Sequence, residues 1–434
     1  MNSIPQRLRV EGPDAWNYSM DGIFVAQIHL LVEFAGALDH DRLRRAARLA
    51  MDAEPVLGCR FVRRWAFPYW GRLPDAVLDR GDWLRESRDE TDIDSFLAEP
   101  LVAETGPQIR VLHVALPAGD RLAIKVNHAM ADAGGTKEVG YRIADIYRRL
   151  GDEPDYRPPI NRGSRGLWQV VKLFAPWRLP GIFAQFVRDV RRSNKPFATV
   201  QFPAGTESGE HYRFVFHRFG PERLRALRTY AKQVDATLND MVVAAMFRAL
   251  VREAGNPNGA MLRLACTADL RRYMPGGRGE GICNISGFFW PQLPTGVGAD
   301  FAETLRRVKA DVDEVKKHYL GLSFVAIGTA LAAPYPFGIK FWMNRKIFSH
   351  LVRSENMCPV LTNLGPIEEA ALEFGSPKVR GAELVVPAAR PPGLAVGLSG
   401  YGDSMTLTVG CFAPGFPPER AVAIFAAVDE ELPT

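Results

Sequence analysis

The chain has 434 residues, of which 47% are hydrophobic and 24% are charged, and its formal net charge at pH 7 is +5. This composition excludes a largely disordered chain, and the length favours two or three domains over one. The arginine clusters do not alternate with aromatic residues as single-stranded nucleic acid favours, so we expect no nucleic-acid partner. The first residues lack the apolar core of a signal peptide, and no stretch approaches ~18 uninterrupted apolar residues, which predicts a cytoplasmic protein.

The first part of the chain predicts an α/β unit, because strand and helix patterns alternate along it. Residues 117–120 predict a hairpin turn, and residues 151–160, rich in proline and charge, predict a linker. The expected elements are a strand at 23–34, a helix with apolar residues from Leu43 to Ala50, two strands at 111–116 and 122–126, and a helix at 137–150.

Residues 168–190, after the linker, combine large apolar residues with lysine and arginine. Pro176 and Pro180 break this segment into pieces. Basic amphipathic segments cover a core, lie on a membrane or hold an acidic partner. We expect this one to cover a core, and the alternative is peripheral contact with a membrane or with a hydrophobic acyl substrate.

The second part of the chain predicts another α/β unit with longer helices and no short-period repeat. Its first strand, at residues 212–219, alternates apolar and polar residues. The expected elements are strands at 212–219, 394–399 and 404–412, and helices at 221–234, 240–254, 301–319 and 418–430.

The cysteines are odd in number, widely separated and outside any zinc-binding spacing, so we expect reduced packing residues and no metal site. His113 is interpreted as a strand residue with its polar atoms satisfied. A nucleophilic Cys283 is the alternative, but no base accompanies it in the sequence. The five cysteines are Cys59, Cys266, Cys283, Cys358 and Cys411.

Residues 123–135 form the most informative segment, because an apolar strand delivers His128 to a turn and Asp132 follows four residues later. Small residues around the histidine leave room for a substrate, and a neutral imidazole is a suitable general base near pH 7. The alternative is a strand-end histidine followed by an ordinary aspartate that caps a helix.

This segment resembles the HHxxxDG active-site motif of one acyltransferase superfamily. That superfamily contains the condensation domains of nonribosomal peptide synthetases, polyketide-associated acyltransferases, wax ester synthases, plant acyltransferases and chloramphenicol acetyltransferase. The second histidine of the motif falls on His128 and the aspartate on Asp132. Asn127 replaces the first histidine, and Ala133 stands where a glycine is usual, with two glycines directly after it.

Further segments match the same superfamily in the order in which its members carry them, over almost the whole chain. Two of them also have a local explanation, since Asn239 lies at a helix start and Asn363 in a turn. Residues 52–61 resemble an "HPxLRTRF" segment, 236–245 a "TxND" helix start, 268–273 with 283–288 a "DLR … N" pair, and 361–366 an "SNxG" strand turn.

The resemblance implies an α/β fold of two chloramphenicol-acetyltransferase-like subdomains that form a V-shaped pseudodimer around a central tunnel. We expect an N-terminal subdomain at 1–155 with the His/Asp motif, a linker with the basic segment at 156–205, and a C-terminal subdomain at 206–434. A monomer is expected.

The resemblance also implies an acyltransferase that moves an acyl group from a thioester to a hydroxyl or amine. His128 is the expected general base, without a covalent intermediate, and Asp132 is expected to hold the loop by pairing with Arg60, which would be costly to bury alone. Backbone N–H groups or amide side chains would bind the substrate or its oxyanion. The expected substrate-binding residues are Asn127, Gly134, Gly135, Asn239, Asn284 and Asn363.

No cofactor is expected beyond a co-substrate that carries phosphopantetheine, either coenzyme A or an acyl or peptidyl carrier protein. Both are negatively charged, which suits a basic surface. Two alternatives use the same fold. One is a carrier-protein binding module without chemistry, and the other is a cyclase or hydrolase of thioesters.

Overall fold

The computed structural model describes residues 3–198, 212–254, 261–354 and 357–434. Within these residues the strands build two mixed sheets and two small ones. The strands are β1 (Arg7–Arg9), β2 (Gln27–Phe34), β3 (Cys59–Val62), β4 (Tyr69–Arg72), β5 (Leu84–Ser87), β6 (Ile109–Val114), β7 (Arg121–Asn127), β8 (Tyr212–Phe219), β9 (Leu262–Arg263), β10 (Ala265–Asp269), β11 (Ser286–Phe289), β12 (Gln292–Leu293), β13 (Val360–Ile367), β14 (Val379–Val385), β15 (Ala395–Tyr401) and β16 (Ser404–Phe412).

Helices cover the faces of the two mixed sheets and also form a separate group after the linker. They are α1 (Gly12–Ser19), α2 (His40–Ala53), α3 (Asp75–Leu78), α4 (Asp92–Ala98), α5 (Ala133–Asp152), α6 (Trp168–Val171), α7 (Leu179–Ser193), α8 (Pro221–Gln233), α9 (Leu238–Ala254), α10 (Phe301–Lys316), α11 (Leu322–Ala332), α12 (Phe337–Arg353) and α13 (Pro418–Glu431).

The first mixed sheet has the strand order β14-β2-β7-β6-β5. β6 and β7 are the predicted antiparallel hairpin, with Val111 opposite Ile124. Ile124 and Val126 belong to a hydrophobic core that also contains buried residues of α2 and α5, and these two helices pack against each other. β7 therefore carries the chain through a well-packed sheet and ends directly before His128.

The second mixed sheet has the order β11-β10-β13-β15-β16-β8, with β13 parallel to β10 and β15. α9 packs against α10 and α13, and α13 also contacts β8 and β16. This half has its own hydrophobic core, built from alternate residues of β15 and β16 and from buried residues of α9, α10 and α13. The strands and helices predicted from residue 212 onwards are confirmed, with ends that differ by a few residues.

One strand from late in the chain belongs to the first sheet. β14 pairs antiparallel with β2 along its length, and Leu384 lies opposite Leu30. The predicted subdomain at 206–434 therefore contributes a strand to the sheet of its neighbour. The predicted boundary between residues 205 and 206 lies outside the described residues.

Two predicted boundaries near the site move. β2 begins at Gln27 instead of residue 23, because Met20–Gly22 forms a short 3₁₀ turn before it. α5 begins at Ala133 instead of residue 137, because the Asp132 side chain accepts a hydrogen bond from the N–H of Gly135 and so caps the helix four residues earlier.

The basic segment at 168–190 forms α6, a short turn that begins at Pro176, and α7, so it is broken at Pro176 as predicted, whereas Pro180 lies in the first turn of α7. α7 buries Ile182, Gln185 and Asp189 and packs against α11. α11 and α12 are not predicted from the sequence, because the uncharged residues of α11 show no amphipathic period. None of the helices described is both long and apolar enough to cross a membrane.

Candidate active site

His128 lies in the turn that follows β7, and its side chain is half-buried. Its backbone N–H donates to the carbonyl of Ala26 at 2.9 Å, which fixes the turn to the segment before β2. Its Nδ1 lies 3.0 Å from the carbonyl oxygen of Ala131. Because a carbonyl only accepts, Nδ1 carries the proton in the neutral ring, and the lone pair is on Nε2.

Burial lowers the pKa of His128 below the ordinary histidine value of 6.5. The Ala131 carbonyl, the Asp132 charge and the Asn284 side chain act in the opposite direction and are outweighed. The imidazole is therefore neutral at pH 7, with Nε2 ready to accept a proton.

We predict that kcat/KM stays constant from neutral pH down to below about 6.5 and falls only at lower pH, because His128 must be neutral to act as a base. The lowered pKa of His128 also determines how the stability of the fold changes with pH. The unfolded chain takes up this proton first, so the stability that His128 contributes is present above about pH 6.5 and is lost as pH falls through its folded pKa. A pH profile of kcat/KM, with Tm recorded at each pH as the control, tests this. An acidic limb above 6.5 would contradict it.

Asp132 is buried at the start of α5 and is fully engaged. Its oxygens accept from the N–H groups of Gly135 and Ile285 at 2.9 and 2.8 Å and from the Ser286 hydroxyl at 2.8 Å. The guanidinium of Arg271 pairs with it at 3.0 Å. Burial alone would raise the pKa of Asp132. The charge of Arg271 and these hydrogen bonds have the larger effect and lower the pKa below its ordinary value, so the carboxylate is charged. Asp132 thus ties the motif loop to the C-terminal half.

The predicted pairing of Asp132 with Arg60 is wrong. Arg60 lies on β3 with an exposed side chain, so water solvates its charge and no carboxylate is required. Arg271 takes the role instead: its side chain is 5% exposed and lies between Asp132 and Asp269. Burial alone would lower the pKa of Arg271, but these two charges raise it above its usual value. The "DLR" segment that contains Arg271 was the signal in the sequence.

Gly134 and Gly135 allow the two halves to approach each other closely. A Cβ at Gly134 would lie 2.4 Å from Nη1 of Arg271, and one at Gly135 would lie 3.0 Å from the carbonyl oxygen of Cys283. The N–H of Gly135 already donates to Asp132. The structure thus gives these glycines a packing role. Ala133 starts the helix with an ordinary backbone and needs no glycine.

Asn127, in place of the first motif histidine, is buried and holds the turn. Its Nδ2 donates to the carbonyl of Leu101 at 2.8 Å, and its Oδ1 accepts from the N–H of Ala129 at 2.9 Å. Both ends of the amide are therefore used by the backbone. We assign to Asn127 the shaping of the His128 turn, and its role in substrate binding stays a prediction.

Asn284 enters the site from the C-terminal half. Its Nδ2 donates to the carbonyl of Ala129 at 2.9 Å and to Asp14 at 3.2 Å. Its Oδ1 is buried and has no hydrogen-bond partner among the residues that the structure describes. The Asn284 side chain also acts to raise the pKa of His128, against the larger effect of burial.

A buried ion pair that the sequence analysis missed supports the loop from the other side. Arg165 pairs with the fully buried Asp14 at 3.0 Å and donates to the carbonyls of Met130 and Ile282 at 2.8 Å. Asp14 also accepts from the indole of Trp70 at 2.9 Å. Both residues lie far from the motif in sequence and outside any recognised pattern, so only the fold brings them to it.

Asn239 and Asn363 lie together, but away from these contacts. The Nδ2 of Asn363 donates to Oδ1 of Asn239 at 3.1 Å, which joins α9 to β13. Lys137 on α5 reaches β13 through the carbonyls of Leu364 and Pro366. Among the hydrogen bonds of the described residues, none joins this asparagine pair to His128. Their role as oxyanion ligands stays a prediction.

Cys283 is buried next to the Asp132–Arg271 pair. Burial raises the pKa of its thiol to about 12, although Arg271 opposes this rise. The thiol is therefore protonated at neutral pH, which argues against the nucleophilic role considered from the sequence.

A second cluster contains His40, Glu86 and His113, residue types that can bind a metal ion. Nδ1 of His40 and Nδ1 of His113 are 3.1 Å apart, and their ring centres are 5.4 Å apart. The two nitrogens thus point at each other as in a hydrogen bond. Nε2 of His113 lies 2.7 Å from Asp120. These contacts satisfy His113 as expected, because they involve both of its ring nitrogens.

Cavities in the described residues do not identify the substrate path. One of about 250 Å³ lies against α2, where its walls include Arg44, Arg48 and Trp83. It does not include the His128 loop. The central tunnel stays a prediction.

Similar folds occur in several solved structures. The first condensation domain of the calcium-dependent antibiotic synthetase is 16% identical, with a TM-score of 0.70 over 99% of this chain and 96% of that one. Trichothecene 15-O-acetyltransferase from Fusarium sporotrichioides is 12% identical, with a TM-score of 0.67 over 98% and 95%. Polyketide synthase associated protein 5 from Mycobacterium tuberculosis is 12% identical, with a TM-score of 0.62 over 97% and 96%. The chain has the predicted condensation-domain, chloramphenicol-acetyltransferase-like fold.

A more specific similarity covers part of the second half. Residues 282–420 match the model of the WS/DGAT C-terminal domain. This match and the shared fold confirm the superfamily that the sequence motifs indicated. No curated protein sequence matches the chain significantly.

Proposed function

We propose that this protein is an acyltransferase that moves an acyl group from a thioester to a hydroxyl or amine, with His128 as general base. The observation that carries the proposal is the state of His128. The ring is neutral, the Ala131 carbonyl holds the proton on Nδ1, and Nε2 has a free lone pair. The loop that holds the ring is fixed by buried ion pairs from both halves.

The reaction balances with this one base. The acceptor O–H or N–H gives its proton to Nε2 while its oxygen or nitrogen bonds to the thioester carbonyl carbon. The C–S bond then breaks, and the departing sulfur takes the proton from the imidazolium. Asn284 Oδ1 would accept a hydrogen bond from the protonated ring. The charged carboxylate of Asp132 is paired with Arg271, so Asp132 positions the loop and takes no proton.

The comparisons support the same class of reaction. One structural neighbour is by name an acetyltransferase and another a condensation domain, and the family match is to a WS/DGAT domain. We propose coenzyme A or a carrier protein as the source of the thioester. Asn127, which keeps the turn intact, removes one reason to prefer a module without chemistry.

Incubating the protein with acyl-coenzyme A and a panel of alcohols and amines tests the proposal. Release of free thiol that depends on the acceptor, with the acylated acceptor detected by mass spectrometry, is the expected result. Thiol release without an acceptor would indicate hydrolysis or cyclisation. Donor binding without turnover, for both coenzyme A and carrier-protein thioesters, would indicate a binding module.

We predict a preference for medium or long acyl donors, or for a lipid-like acceptor, because α7, α11 and α12 expose much apolar surface. Each buried methylene would add up to ~0.8 kcal/mol of binding, or about fourfold in kcat/KM. Measuring kcat/KM from acetyl- to palmitoyl-coenzyme A with one acceptor checks this. Free coenzyme A as a competing inhibitor separates the contribution of the acyl chain. A preference for acetyl donors and small polar acceptors would contradict the prediction.

A further inference from the structure

Exposed aromatic and aliphatic side chains concentrate on one group of elements: α7 with the turn before it, α11, α12 and the loop at residues 63–68. Exposed fractions reach 85% for Phe67, 80% for Trp177 and 61% for Trp342. Large apolar side chains that concentrate on neighbouring exposed elements mark a contact site. We call these elements the apolar face. Its most exposed members include Trp65, Phe67, Trp177, Phe183, Trp342 and Ile347.

The elements of the apolar face are in contact with one another. α7 packs against α11, where the rings of Phe186 and Phe324 lie 6.1 Å apart. A short connection, residues 333–336, joins α11 to α12. The N–H of Gly338 at the start of α12 donates to the carbonyl of Trp65 at 2.7 Å. The exposed side chains therefore lie on elements that adjoin one another.

α11 lacks the cover that its composition requires. Residues 322–332 contain no charged side chain. Only Leu322 and Ser323 at its start are buried, whereas Phe324 is half-buried and Leu331 is 59% exposed. A helix that is apolar on all sides is normally buried, either in a protein core or in the apolar part of a membrane.

The exposed charges on the elements of the apolar face are all positive, because Asp189 on α7, their one acidic residue, is buried. Residues 156–188 and 322–353 contain no aspartate or glutamate. α12 carries Lys340, Arg345, Lys346 and Arg353, and Lys346 lies with its ammonium 6.0 Å from the ring centre of Trp342. A surface that combines tryptophan with neighbouring cations fits a partner that is apolar inside and anionic at its boundary.

We propose that the apolar face docks the protein on a membrane that contains anionic phospholipid. Aromatic rings flanked by lysine and arginine match the boundary between acyl chains and headgroups, where such side chains are enriched. The described helices do not include one that could span a bilayer, so the contact is peripheral. This inference concerns binding and does not depend on the acyl-transfer proposal.

Co-sedimentation with vesicles tests it, using the full chain and two vesicle types: phosphatidylcholine alone, and phosphatidylcholine with phosphatidylglycerol. We expect binding to the anionic vesicles that weakens with salt. Lys346→Glu should lower the partition coefficient by about fivefold or more, since one cation near an anionic surface contributes about this factor. Trp342→Ser should lower it on both vesicle types. Both side chains are exposed, so Tm should not change.

Matched controls lie outside the apolar face, on α8 and α13, which pack on the second mixed sheet. Val422 on α13 is 56% exposed and Lys232 on α8 is exposed. Val422→Ser and Lys232→Glu should leave binding unchanged. Equal sedimentation of all variants, or none with either vesicle, would overturn the proposal. A dimer that Trp342→Ser dissociates would assign the face to a second copy of the chain, and binding to an acidic carrier protein without vesicle binding would assign it to a protein partner.

Discussion

Replacing His128 with alanine is expected to lower kcat by ~100- to 10,000-fold, the usual contribution of a general base, while Tm stays unchanged. The imidazole is half-buried in its turn. The turn is held by the backbone N–H of His128 and by the Asn127 side chain, so its fold does not depend on the imidazole ring. Steady-state kinetics with one thioester and one acceptor measures the effect.

Cys283→Ala is the matched control for the first prediction. The thiol lies in the same region, but its pKa of about 12 makes it a poor nucleophile, so kcat should stay close to that of the wild type. A His128→Ala variant that retains more than about a tenth of the wild-type kcat would show that His128 is not the base.

Asp132→Ala is expected to destabilise the protein by ~3 to 5 kcal/mol, because it leaves the buried Arg271 with only the more exposed Asp269 as a partner. Activity should fall as well, since the loop that carries His128 loses its tie to the C-terminal half. Chemical denaturation, with the free energy of unfolding extrapolated to water, measures the loss.

A double-mutant cycle of Asp132→Ala and Arg271→Ala measures the interaction energy between these two side chains, separately from their other contacts. We expect a coupling energy of at least about 1 kcal/mol, since the two side chains touch at 3.0 Å. The same cycle with Arg60→Ala serves as the control and should give no coupling, because Arg60 is exposed. Coupling to Arg60 together with additivity at Arg271 would reverse the assignment made here.

Local patterns predicted the elements that carry the site. The hairpin of β6 and β7 follows from two apolar runs and a turn between them, and both strands form and pair antiparallel. The apolar run placed His128 at a strand end, as the structure shows, whereas the helix-capping role of Asp132 was the alternative to the expected helix start at residue 137. Such features depend on neighbours along the chain, which a sequence displays directly.

Contacts between distant segments could not be predicted in the same way. The partner of Asp132 is Arg271, 139 positions away, and the choice between it and Arg60 depends on which strand faces the loop. No sequence pattern marks Asp14 and Arg165. Their role as an ion pair is visible only in the fold, which buries both beside the loop. α11 escaped prediction because its apolar residues show no period.

The strand β14, which comes from the second half and completes the first sheet, limits how this molecule can move and be divided. A movement that separated the two halves as rigid bodies would break the backbone hydrogen bonds between β14 and β2, where Leu384 lies opposite Leu30. It would also expose a long sheet edge to other chains. A fragment that stops near residue 155 would carry that open edge permanently and is expected to aggregate. β14 therefore holds the two halves together, and we expect the movements of this molecule to be confined to side chains and loops.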